Sequence, residues 1–190
     1  MVVEKQIEEK KRKGNVEWIV IHYTGVVASA KAVHKSLLRS YPVRKVSTHY
    51  IVDEENEIEM LNPYFVANHI GGASKTKRLP VTNANSIGVD ICPKKIRDKS
   101  TSAGDTDWYI PAIVEVRACD LVARLALQYG VPLDHIVRHY DVTGKLCPRP
   151  WCGEDENEYY RESGDSRWEF FKNHVKDVIK ELTHQADARY

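Results

Sequence analysis

The sequence predicts an α/β fold, a central mixed and mostly β sheet flanked by helices, and two observations carry that prediction. Short apolar runs bounded by polar residues recur along the chain, and stretches with apolar residues at helical spacing stand between and after them. The 190 residues suffice for one domain with a full core, so residues 1–190 are expected to form a single domain.

Taken in order, the elements are as follows. Residues 4–13 are a charged segment, read as a surface stretch with helical potential. Trp18-Ile-Val-Ile21 is a continuous apolar run and reads as a buried strand, with His22 at its C-terminal end. Ser29 is a candidate cap for a helix over 29–40, whose apolar positions are Ala32, Val33, Leu37 and Leu38. Residues 50–52 and 57–61 read as two strands, joined by a turn at Asp53-Glu-Glu-Asn56. Residues 86–91 read as a fourth. The polar stretch 93–109, with Lys94, Lys95, Arg97 and Lys99, reads as a long surface loop. Pro111 near a first turn, apolar Ile113, Val114, Leu121, Val122 and Leu125, and Gly130 as a stop define a second helix. Residues 135–139 form the last expected strand, which again ends in a histidine. After an acidic, loop-like stretch over 152–166, Trp168, Phe171, Val175, Val178 and Leu182 mark a terminal helix over 167–183.

Bulk properties exclude several functions. A formal net charge of +1 implies neither a nucleic acid nor a membrane surface as partner. No run approaches the roughly 18 apolar residues of a membrane span. The charged start lacks an apolar signal-peptide core, which predicts synthesis in a cytosol. A monomer is expected. Of the four cysteines, Cys92 and Cys119 read as buried structural residues, and the number four is poor grounds for a disulfide framework here.

The chemistry lies in three residues far apart in sequence: His22, His139 and Cys147. Two imidazoles and a thiolate suit Zn²⁺, and three protein ligands leave the fourth tetrahedral position for water, which is the pattern of a hydrolase. Two strands that each end in a histidine can lie side by side and present both rings at one rim, with the loop to Cys147 returning to it. Cys152 offers an alternative: as a fourth ligand it would close the site and make it structural.

Five segments sharpen this reading. Ile-Val-Ile-His22-Tyr-Thr, Ser47-Thr-His-Tyr-Ile-Val-Asp53, Asn68-His-Ile-Gly-Gly72, Asn85-Ser-Ile-Gly-Val-Asp-Ile91 and Arg138-His-Tyr-Asp-Val-Thr-Gly-Lys-Leu-Cys-Pro148 fall in the order seen in type 2 N-acetylmuramoyl-L-alanine amidases. The chain resembles that family, which includes phage and prophage endolysins and is related to peptidoglycan recognition proteins, over roughly residues 16–150. The resemblance implies zinc held by His22, His139 and Cys147, and hydrolysis of the bond between N-acetylmuramic acid and L-alanine in bacterial peptidoglycan, acting at the cell wall. It implies that Lys145 stabilises the oxyanion and that Asp90, where the family has glutamate, serves as general base; a structural aspartate is the alternative. It places His69 in the substrate groove, where Asn68 replaces a tryptophan. Thr48 stands where some members carry a tyrosine, and is a second candidate groove residue. A non-catalytic peptidoglycan-binding module and an unrelated zinc amide hydrolase are the competing readings.

Overall fold

A computed structural model describes residues 9–71, 79–97, 102 and 104–188; the expectations for residues 4–8, Gly72 and Lys99 lie outside them. In chain order the elements are β1 Trp18–Tyr23, α1 Ala30–Arg44, β2 Tyr50–Val52, β3 Glu57–Glu59, β4 Ser86–Ile91, β5 Lys94–Lys95, β6 Trp108–Tyr109, α2 Ala112–Tyr129, β7 Ile136–Arg138, α3 His139–Thr143 and α4 Gly164–Asp187. The main sheet has the order β3-β2-β4-β1-β7. Its pairs are parallel except β2 with β3. Parallel strands are covered on both faces, and this is why the run Trp-Ile-Val-Ile is apolar at every position rather than at alternate ones.

Register partners in a parallel pair share a face. Ile19 and Ile21 of β1, with Ile87, Val89 and Ile91 of β4, join the main core with α2 and α4, where Leu121, Val122, Leu125, Trp168 and Phe171 meet them. The opposite face carries Trp18, Val20 and His22 on β1, and Gly88 and Asp90 on β4. Two smaller clusters cover it: Val20 with Val137 and Val142, and Ile51 with Ala30 and Val33 of α1. The polar residues of this thinner face gather at the carboxyl ends of the parallel strands, where open α/β sheets place their ligands.

Several boundaries differ from expectation. Helix α1 runs on to Arg44, past the expected end at 40, with Pro42 inside its C-terminal part. The charged N-terminal segment is not helical over residues 9–13. Lys11 makes an antiparallel bridge to Phe65, and the Arg12 guanidinium reaches under the sheet to the carbonyls of Pro63, Phe65 and Ser86. The expected loop over 93–109 contains the hairpin β5–β6. There the Lys95 side chain is 3% exposed, held by Asp105 at 2.5 Å and Asp107 at 3.1 Å, and Trp108 is buried. His139 opens α3 instead of ending a strand, and α4 starts three residues before the expected 167. No helix of the described residues is long and apolar enough to cross a membrane.

Candidate metal centre

Strands β1 and β7 lie side by side, with Ile21 beside Arg138, so His22 and His139 follow in step onto one rim. Gly144 (φ 79°) ends α3 in the left-handed region, and the Tyr140 N–H donates to the Cys147 carbonyl at 2.9 Å, which brings the loop back to the same place. One donor atom each from His22, His139 and Cys147 lie within 4.8 Å of one another, and all three residues are buried. Cys147 Sγ is 3.7 Å from His22 Nδ1, and the two imidazole centroids are 4.7 Å apart. Bonds of about 2.0–2.3 Å to a tetrahedral ion put its donors roughly 3.3–3.8 Å apart, a spacing of the same order.

The charge states fit a cation. Burial, then the neighbouring His139 and His69 rings, hold His22 well below the usual histidine range. Burial and Lys145 bring His139 down to about 4, so both rings offer neutral lone pairs at neutral pH. Burial pushes the Cys147 thiol up to about 12, against the pull of the Tyr23 backbone and Lys145, so a thiolate here requires a counter-cation. Neither ring nitrogen of His139 makes a well-formed hydrogen bond among the described residues, although the Gly71 backbone lies close enough to favour the protonated ring slightly. A buried imidazole nitrogen without a hydrogen-bond partner, beside a second imidazole and a thiol, fits a zinc ligand set. Cys152 does not join them; its thiol donates to the Pro148 carbonyl at 2.9 Å.

A cavity of about 260 Å³ opens over these residues; Asp90, Lys145 and His69 line it, with Val33, Leu37 and Arg44 of α1 forming a wall. Asp90 is the register partner of His22 on the next strand, and so faces the same side. Burial raises its carboxyl to about 6, opposed by the Thr48 hydroxyl and Lys145. Lys145 is exposed at the cavity edge.

The two expected groove residues are held by contacts within the protein. Thr48 is 1% exposed; its hydroxyl lies 3.1 Å from the Gly88 carbonyl and within reach of the Asp90 carboxylate, so it sits behind Asp90 with no exposed surface of its own. His69 lines the cavity, yet both its nitrogens face protein: Nδ1 lies 2.9 Å from His22 Nε2, and Nε2 lies 3.1 Å from Ser86 Oγ. His49 is fully buried, with Nδ1 accepting from the Gly88 N–H at 2.9 Å. The sequence reading missed Ser86 and Arg12. Ser86 stood in a quoted motif but looked like an ordinary strand residue, and a charged run carries no signal that one of its arginines is drawn inward.

The family model described as N-acetylmuramoyl-L-alanine amidase matches residues 12–150. The N-acetylmuramoyl-L-alanine amidase CwlL of Bacillus licheniformis is 31% identical over 146 residues, 73% of this chain and 38% of that protein. BlyA of Bacillus subtilis (strain 168), another N-acetylmuramoyl-L-alanine amidase, is 29% identical over 175 residues, 85% of this chain and 41% of that one. The chain thus matches about two fifths of the length of these relatives. Among solved structures, PlyL superposes with a TM-score of 0.63 at 25% identity, covering 87% of this chain and 86% of its own. Drosophila PGRP-LB superposes at 0.51 with 12% identity, covering 74% and 79%, a likeness of fold alone.

Proposed function

The chain belongs to the N-acetylmuramoyl-L-alanine amidase family, and from that premise we propose that it hydrolyses the amide bond between the lactyl group of N-acetylmuramic acid and L-alanine in bacterial peptidoglycan, with a zinc ion held by His22, His139 and Cys147. The convergence of those three buried donors within 4.8 Å of one another carries the reading. When bound, zinc supplies a Lewis acid and a water whose pKa is lowered to about 7.

The residues of the chain supply the rest. Asp90 faces the cavity from the strand beside His22, and its carboxylate takes the proton of the attacking water. As the tetrahedral intermediate collapses, that proton passes to the departing amine, which leaves a carboxylate on the muramic acid and a free L-alanine amino terminus. A carboxyl near 6 is matched to this exchange at neutral pH. The Lys145 ammonium faces the oxygen that gains negative charge. A preorganised donor of this kind is worth about 3 kcal/mol when water is excluded. Because Lys145 is exposed in the free protein, its contribution depends on substrate covering the cavity. The apolar wall of Val33 and Leu37 offers that cover a surface to pack on. The place of action is the bacterial wall.

Purified sacculi provide the test. The zinc-loaded chain is expected to release new L-alanine amino termini, and Cys147→Ala is expected to lose both stoichiometric zinc and release. A wild-type chain that binds zinc and sacculi yet frees no amino termini would leave the binding-module reading in its place.

A further inference from the structure

The hydrogen bonds behind His22 have only one consistent direction. The Thr82 carbonyl can only accept, and Ser86 Oγ lies 2.5 Å from it, so the single Ser86 proton is committed there. Ser86 Oγ then faces His69 Nε2 at 3.1 Å as an acceptor, and Nε2 carries the ring proton. His69 and His22 are 8% and 4% exposed, and no carboxylate is hydrogen-bonded to either among the described residues, so both rings are neutral. His69 Nδ1 is therefore bare and accepts from His22 Nε2 at 2.9 Å. With its proton placed on Nε2, His22 keeps a lone pair on Nδ1, the nitrogen that lies 3.7 Å from Cys147 Sγ.

The sheet makes room for this arrangement at Gly88. A Cβ at that position would meet His69 Cγ at 2.7 Å and Nδ1 at 2.8 Å, so any side chain there would push the ring off His22. The His49 ring, its Nδ1 taken by the Gly88 N–H, lies edge-on to His69 at 5.8 Å and closes the other side.

We propose that Ser86 and His69 are positioning residues that fix His22 as its Nε2–H tautomer and aim its Nδ1 at the metal. The inference rests on the zinc reading of His22, and it replaces a substrate-groove role for His69. Partners of this kind, one step behind a ligating histidine, typically change metal affinity by roughly 10- to 100-fold.

The test reads zinc affinity and tautomer rather than turnover. Competition with a chromophoric chelator should show His69→Phe binding zinc about 10- to 100-fold more weakly than wild type, and Ser86→Ala weakened to a lesser degree. His69→Gln, whose carbonyl can still accept from His22 Nε2–H, should recover part of the loss. Nitrogen-15 spectra of the metal-free wild type should show the His22 proton on Nε2, a readout available even if a variant fails to fold. A proton on Nδ1, or zinc affinity unchanged in His69→Phe, overturns the proposal. If the wild type itself binds no zinc while the spectra show Nε2–H, it is the metal reading that fails, and the tautomer assignment stands.

Discussion

Asp90 and His22 occupy matching positions on neighbouring parallel strands, and that register puts a carboxylate on the same cavity wall as the candidate metal ligands. Burial raises the Asp90 pKa from its ordinary value to about 6, although Thr48 and Lys145 pull the other way. The proposed base role needs the ionised form, so kcat/KM should fall as pH drops through about 6, or somewhat lower once a dication adds its own pull. Asp90→Asn should lose roughly 10²- to 10⁴-fold in rate and with it the acidic limb of the profile. A variant that keeps that limb would show that another group titrates. In the metal-free protein the sign for stability is the reverse of the common carboxylate case. The folded state holds this proton more tightly than the unfolded chain, so Asp90 contributes less stability as pH rises from about 4 to about 6. The candidate ligands stood out at this scale because soft donors sat beside apolar runs and in a motif-rich loop. The roles of Ser86, His69 and Thr48 were not, since a strand's sequence does not say which face each residue takes until its neighbours are known. Ser86 meets His69 across 17 positions, and Thr48 meets Gly88 across 40.

At the scale of elements, the turn over 53–56 was visible as a cluster of acidic and amide residues, and Asp53 holds it by accepting from the N–H groups of Glu55 at 2.9 Å and Asn56 at 2.6 Å. Its second function was not visible. The other carboxylate oxygen accepts from Ala30 N at 2.6 Å, 23 positions away, and so ties the start of α1, the helix that walls the cavity, to the β2–β3 turn. Burial works to raise the Asp53 pKa, but the hydrogen bonds from Ala30, Glu55 and Asn56 outweigh it and leave the group below its ordinary value. Its contribution is therefore present above the unfolded-state value near 4 and fades as pH falls below it. Asp53→Ala, which leaves those donors unpaired, should cost about 1–3 kcal/mol in urea unfolding at neutral pH, with the gap to wild type narrowing as the medium is acidified below the ordinary carboxylate range. A gap that stays constant on that acidification would mean that packing, not the carboxylate, is responsible. The lysine-rich stretch 93–109 shows the same limit from the other side. Charge alone reads as solvated surface, and only the fold brings Asp105 and Asp107 onto Lys95.

Across the whole molecule, the family model's match ends at residue 150 while α4 begins at Gly164, so that model does not describe the terminal helix. The structure nevertheless makes it part of the site's foundation. Arg138, next to His139, donates to the Trp151 carbonyl and to Asp165 in the first turn of α4, and Gly164 lies so near Cys152 that a Cβ would meet its backbone nitrogen at 2.5 Å. Trp151, four residues beyond Cys147, packs on Phe171 with ring centroids 4.7 Å apart, and Trp168 stacks on Phe171 at 5.5 Å. The helical stripe of Trp168, Phe171 and Val175 announced an apolar face. Its seat, against α2 and the ligand-bearing loop, came from tertiary packing that no periodicity encodes. Phe171 is fully buried in that seat. Phe171→Ala should cost about 3–5 kcal/mol through lost burial and the cavity left behind. In a chain of this length that lowers the unfolding midpoint by about 10 °C. Because the ring also supports Trp151, the loop carrying Cys147 should loosen with it, so zinc affinity should fall in the folded variant while His22 keeps its tautomer. Calorimetry separates this from the alternative of an appended helix. Coupling predicts one endotherm displaced as a whole, whereas an appendage predicts a low-temperature shoulder with the main transition and the zinc affinity both unmoved.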